Sequence, residues 1–338
     1  MSIKTIQPME FQLHVLNPYI IAFHHRDIYP EGDNQLGPKS IPRGKNNGQD
    51  FDPNSDWRMY HGKTIPGFPV HPHRGFETIT IMLEGYADHF DSKGSKGRYG
   101  KGDVQWMTAG KGIQHSEMFP LLNKEEENPM ELFQIWLNLP KKDKLVEPAY
   151  KMLWAENIPV ITEKDKEDRI TTIRLIAGQY KETKSVDPLP ASWAYNRENN
   201  VGIWLIQLEP NAEFTIPAVS STISRVLYNF RGAEINITEK VINEKFYAEL
   251  YGDKDIVIRN GNKTTNLLLL EGEPINEPIA AQGPFVMNTQ GELRQAFIDY
   301  QQTEFGGWPW DRYDPVNDPH AGRFSAYEDE KRTEYPNQ

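Results

Sequence analysis

The chain contains no cysteine among its 338 residues. Disulfides, zinc–thiolate sites and a cysteine nucleophile are therefore excluded. Basic residues are outnumbered, 37 Lys and Arg against 48 Asp and Glu, for a formal net charge of -11. No basic stripe is present, so direct contact with a nucleic acid is not expected; a protein partner remains open to it. No apolar run approaches the roughly 18 residues that span a bilayer. The N-terminus, "MSIKTIQPMEFQLHVLNPYI", lacks the basic start, unbroken apolar core and small-residue cleavage site of a secretory signal, which sets the cytoplasm as the expected location. Histidine is absent from 116 to 319, yet five of the nine histidines lie between 61 and 115. Any histidine-based chemistry must sit in the first half.

What is present is β-rich. Gly 25 and Pro 25, with Tyr 15, Phe 15 and Trp 8, point to many turns and strands. Residues 30–56 are crowded with turn formers and read as an extended surface loop. Strand signals follow in "TITIML", "EGYADHF", "DVQWMT" and "ELFQIWLNLP", then again after a charged connection in "ITTIRLIAG", "VGIWLIQL", "SRVLYNFRG", "FYAELYG" and "TNLLLLEG". The halves echo one another: "TIMLEGYADHF" and "VLYNFRGAEINI" are both strand–Gly–strand. One helix is expected, in "GELRQAFIDYQQTEF", where Leu293, Ala296, Phe297 and Tyr300 keep helical spacing. The expected division is 1–150, 151–304 and a polar tail, 305–338, with aromatic anchors.

The chemistry concentrates in "VHPHRGFETITIMLEG" and "GIQHSEMF". His71 and His73 differ by two, so on one strand they share a face, with Pro72 turned away. Proline donates nothing to a ladder, which marks this strand as an edge or an irregular one. His115 and Glu117 are also two apart. Three imidazoles and a carboxylate from two strands suit Fe(II), Mn, Ni, Cu or Zn with coordination positions left open. Glu77 follows His71 and His73 on the same parity and competes for the carboxylate role. Arg74 faces away by parity and reads as half of a structural ion pair. Phe68, Phe76, Trp106, Met107, Phe133 and Trp136 are candidates to line a flat pocket, most of them as core. His61 and His89 read as surface residues. His24 and His25 point to opposite faces of a strand.

"HPHRGFETITIMLEG", "GDVQWMTAGKGIQHSEM", "GPFVMNT" and "GGWPW" together resemble the pirin family of the cupin superfamily, from about residue 17 to about 310. The resemblance implies an all-β bicupin: two antiparallel β-barrels in one chain, followed by a helix and a tail. It implies one iron, in the N-terminal barrel only, on His71, His73, His115 and Glu117. Glu117 is favoured over Glu77, which is then expected beside the ligands, orienting a histidine. Family members of two kinds set the functional expectation. One is a quercetin 2,3-dioxygenase-like enzyme opening a flavonol ring with dioxygen, with Glu117 or Glu77 as the base. The other is an iron-dependent redox switch that binds a protein partner such as a transcription factor. A monomer, with no membrane attachment, is the expected state.

Overall fold

The computed structural model describes residues 2–337. It divides into two compact units, Phe23–Glu156 with Glu277–Gln338, and Met1–Ala22 with Asn157–Asn276. Each is built on antiparallel sheets, as expected of two cupin barrels. The linear division at 150 and 304 is corrected by strand pairing. Ile3–Pro8 adds to Phe246–Leu250 and so joins the later barrel. Phe324–Tyr327 pairs with Lys96–Gly100, which takes the tail into the earlier one.

In the first unit, one sheet places Ala149–Leu153, Val104–Thr108, Phe76–Glu84, Asn128–Asn138 and Tyr19–Tyr29 side by side. The facing sheet has six strands in the order Arg332–Glu334, Phe324–Tyr327, Lys96–Gly100, Tyr86–Asp91, Ile113–Met118 and Gly67–His73. The β-branched run Thr78–Ile81 explains the central strand of the first sheet, and both of its faces are buried. Thr78 pairs with Met107 and Trp136, and Thr80 with Gln105 and Gln134, so these side chains share the inner face. Ile79, Trp106 and Ile135 turn to the other side.

Gly67–His73 lies at the edge of its sheet, and its register slips between Phe68 and His71. Pro72, which cannot feed a second ladder, suits the edge position, and Pro69 falls within the slip itself. The open edge is covered by the tail, where Val70 N–H donates to the Tyr313 carbonyl at 2.7 Å. The strand ends in a tight turn at Gly75, whose φ is +85°. A Cβ there would stand 2.0 Å from the Val286 carbonyl oxygen, so only glycine fits.

The expected helix spans Gln290–Thr303, with Leu293 and Ala296 buried. Thr289 and Glu292 form a reciprocal capping box at its start. The helix belongs to the first unit, where Phe297, Tyr300 and Phe305 pack on Phe285. The second unit carries a seven-stranded sheet and a four-stranded one. Its core is mostly Ile and Leu, including Ile173, Ile206, Leu227 and Leu267, with Trp204 and Phe214 among them. No helix among the described residues is long and apolar enough to cross a membrane.

Candidate metal centre

The edge strand and its neighbour bring the separated histidines together. His71 and His115 are register partners, and their ring centroids are 4.4 Å apart. His73 stands 4.8 Å from His71 and 5.0 Å from His115 by the same measure. One nitrogen of each ring falls within 4.8 Å of the others, and this is the single such group among the described residues.

The hydrogen bonds define which nitrogen is free. His71 Nδ1–H donates to the Pro69 carbonyl at 2.9 Å, and His73 Nδ1–H to the Pro284 carbonyl at 3.4 Å. A carbonyl only accepts, so both rings keep Nε2 as the lone-pair nitrogen. His115 is fully buried, and neither of its nitrogens has a partner. A buried, unsatisfied imidazole is costly unless something outside the protein occupies it. Burial holds all three rings below the ordinary imidazole pKa. The charge of His71 deepens the shift at His73, and the charges of His71, His73 and His89 deepen it at His115. The rings are thus neutral at neutral pH, the form that binds a cation.

Glu117 shares the inner face, with Oε2 3.8 Å from His115 Nε2. Three donors grip it: Thr80 at 2.9 Å and Tyr99 at 3.3 Å on Oε1, and Gln134 at 2.6 Å on Oε2. The Tyr99 hydroxyl, buried next to that carboxylate, has its pKa pushed well up and keeps its proton to donate.

Glu77 is placed elsewhere, and the expectation that it serves as ligand, base or orienting group is corrected. Thr80 reaches Glu117 from the inner face, and Glu77 is three residues away, so it projects from the opposite face. Its carboxylate accepts from Thr108 at 2.6 Å. Arg74 does face away from the histidines and pairs with Asp299 at 2.6 Å.

His89 is the principal residue misjudged. It is fully buried, not on the surface, and it is the register partner of Glu117. Its ring lies 5.6 Å from His115 and stacks on Tyr150 at 4.8 Å. Gln105 donates to its Nδ1 at 2.9 Å, which leaves Nε2–H directed at Asp91, 3.3 Å away. Gln134, an amide set between apolar residues in "ELFQIWLNLP", carried a readable signal that the strand faces something polar. Of the six lining candidates, Phe76 and Trp136 flank His73, at 5.1 and 5.2 Å, and Phe68 lies 6.4 Å from His71. Met107 shares that inner face, while Trp106 and Phe133 belong to the outer one.

His25 continues the polar interior on the far side of Phe68. Tyr60 donates to Asp27 at 2.7 Å and accepts from His25 Nδ1 at 2.9 Å, while Arg58 holds Asp27 at 2.8 Å. Burial, and then the charges of His24 and Arg58, push the His25 pKa down to about 3. An unfolded imidazole titrates near 6.5. Between those values the unfolded chain binds a proton that the folded chain refuses. Stability is therefore complete above pH ~6.5 and falls on acidification, by about 1.4 kcal/mol per pH unit from this group. Urea unfolding from pH 7 to pH 4 is expected to show a shallower acid limb for His25→Asn than for the wild type. Parallel limbs would refute the assignment.

Comparison with known proteins identifies the family and the fold. Residues 47–137 match the family model described as Pirin, and residues 203–306 that of the Pirin C-terminal cupin domain. Pirin-1 of Arabidopsis thaliana is 37% identical over 245 residues, covering 71% of this chain and 78% of its own. A Pseudomonas aeruginosa protein provisionally named a quercetin 2,3-dioxygenase is 35% identical over 239 residues, with 71% and 79% covered. A crystal structure of quercetin 2,3-dioxygenase from Acinetobacter baumannii superimposes with a TM-score of 0.70 at 25% identity, covering 91% of this chain and 99% of that one. The chain belongs to the pirin family, as a bicupin whose histidine cluster lies in the first barrel.

Proposed function

We propose that the protein is a mononuclear metal-dependent dioxygenase of the quercetin 2,3-dioxygenase type. Its metal, iron in the first instance, is held by His71, His73, His115 and Glu117. The observation that carries the reading is the buried triad of neutral imidazoles, with His115 unsatisfied at both nitrogens. Such a donor set fits a divalent transition metal and not an alkaline-earth ion, which prefers oxygen ligands. The names of the Acinetobacter and Pseudomonas relatives support the substrate class.

When bound, iron supplies Lewis acidity toward a hydroxyl oxygen and one-electron access to dioxygen, which zinc lacks. The residues of the chain do the rest. Glu117, oriented by Thr80, Tyr99 and Gln134, accepts the proton of the flavonol 3-hydroxyl at Oε2, the oxygen nearest His115. Phe68, Phe76 and Trp136 offer flat faces to the rings of the substrate; Phe76 and Trp136 already stack at 4.2 Å. Dioxygen cleavage of the heterocycle expels carbon 3 as carbon monoxide.

Iron-loaded protein is expected to consume oxygen with quercetin and to release carbon monoxide in equal amount. Glu117→Gln is expected to lower kcat by at least 100-fold, within the range typical of a lost general base. An iron-loaded protein that consumes no oxygen with any flavonol overturns the enzyme reading. If it then captures a protein partner in one iron oxidation state only, it is a redox switch.

A further inference from the structure

We propose that the C-terminal segment 284–307 is a positioning element of the histidine cluster, acting through its own Asp299 and through Gln114 on the His115 strand, so that metal occupancy and docking of the Gln290–Thr303 helix are coupled. The inference rests on the metal reading above and extends it to residues far along the chain from any ligand.

The contacts converge on the residues that flank the histidines. Pro284 supplies the carbonyl that receives His73 Nδ1–H, and it also accepts from the Arg74 N–H at 3.3 Å. Val286 N–H returns to the Arg74 carbonyl at 3.0 Å, so Pro284–Val286 runs alongside the end of the histidine strand. Arg74 then reaches out to the helix. Its Nη1 pairs with Asp299 at 2.6 Å, its Nε donates to the Lys111 carbonyl at 2.6 Å, and its guanidinium lies 4.5 Å from the centre of the Phe305 ring. Arg74 thereby ties the strand of His71 and His73 to the turn that leads into the strand of His115.

That second strand is gripped in the same way. Gln114, next to His115, donates to the carbonyls of Glu304 and Gly307 at 2.8 and 3.2 Å. It accepts from the Tyr300 hydroxyl at 3.0 Å. Gly112 has no side chain because Phe305 occupies the place: a Cβ there would be 2.6 Å from the ring. The helix and its final turn thus clamp both ligand-bearing strands just outside the cluster.

Metal ligands are sensitive to such partners. Removing a group that hydrogen-bonds a ligand side chain typically lowers affinity by about 10–100-fold, and Asp299 and Gln114 act one step further out, on the residues beside the ligands, which sets the lower end of that range. Linkage is reciprocal, so a metal that needs the clamp must also stabilise it. Two measurements on the full-length protein test this. The first is titration of the metal-free wild type, Asp299→Ala, Asp299→Glu and Gln114→Leu with Co(II), followed by its visible absorption. Asp299→Ala and Gln114→Leu are expected to bind about 10-fold more weakly, and Asp299→Glu to restore wild-type affinity. The second is amide hydrogen exchange of residues 290–303 with and without Co(II), expected to slow on metal addition in the wild type. A structural role alone would lower the melting temperature of the metal-free variants without making the exchange metal-dependent. Unchanged affinity in both weakening variants, or helix exchange indifferent to Co(II), overturns the proposal while leaving the metal site standing. A wild type that gives no Co(II) spectrum removes the metal reading and the proposal together.

Discussion

His115→Ala is expected to lower affinity for Ni(II) or Co(II) by more than 100-fold while leaving the barrel folded. The three imidazoles form the only metal-capable group among the described residues, so no spare nitrogen within it can take over. Loss of a direct ligand should exceed the ~10–100-fold typical for loss of a ligand's supporting partner. The metal-free variant has a further expected property. His115 is buried with two unpartnered nitrogens, a burden of about 1–3 kcal/mol for such a group. Removing the ring lifts that burden and opens a cavity, and the two effects oppose one another. The metal-free melting temperature should therefore change little. Adding Ni(II) should raise the melting temperature of the wild type, because a ligand that binds only the folded state stabilises it, and should leave the variant unmoved. Calorimetric titration and thermal melts with and without Ni(II) check both statements. An equal metal-induced rise in the two proteins would refute the role of His115.

The histidine cluster was legible because strand parity is local. His71 and His73, like His115 and Glu117, each sit within one strand, so two-residue spacing fixes a shared face. Glu77 failed the same logic for a physical reason. Parity counted from His73 does not survive the turn at Gly75, where φ is positive and a new strand begins at Phe76. His89 was missed because burial of a strand's polar face depends on its neighbours in space, here His115 on the adjacent strand and Gln105 and Tyr150 on the facing sheet. The grouping of segments was illegible for a related reason. Nothing local in "IKTIQP" announces that it pairs with residues 246–250, nor in "FSAY" that it pairs with residues 96–98. Such pairings are non-local and are decided by the complementary edge, not by the strand itself. The helix was readable because its spacing and its capping box are contained in one continuous stretch.

Arg98→Met is expected to be among the most destabilising single substitutions outside the metal centre, by about 3–5 kcal/mol. Arg98 and Asp88 are both 0% exposed, cross-strand partners on Lys96–Gly100 and Tyr86–Asp91. They form a two-point ion pair, Nε to Oδ1 at 2.7 Å and Nη2 to Oδ2 at 2.8 Å. The remaining guanidinium donors go to carbonyls of the tail: Asp318 at 3.0 Å, Ala321 at 2.9 Å and Asn317 at 3.3 Å. Asn317 answers with its N–H to Asp88 at 2.8 Å and its side-chain amide to the Gly97 carbonyl at 2.9 Å. Methionine fills the volume but leaves Asp88 buried without a counterion and three tail carbonyls without their donor. Breaking one side of a buried pair is far more costly than replacing both. Arg98→Met with Asp88→Leu should accordingly recover part of the loss, although the tail carbonyls stay unsatisfied. The tail also reaches the strands around the histidine cluster: Trp310 Nε1–H donates to the Asp91 carbonyl at 2.8 Å, and Tyr313 covers the edge at Val70. Limited proteolysis should therefore cut residues 308–331 faster in Arg98→Met than in the wild type. Urea unfolding of the single and double variants measures the main effect, and a single variant within 1 kcal/mol of the wild type would show that the pair is no anchor.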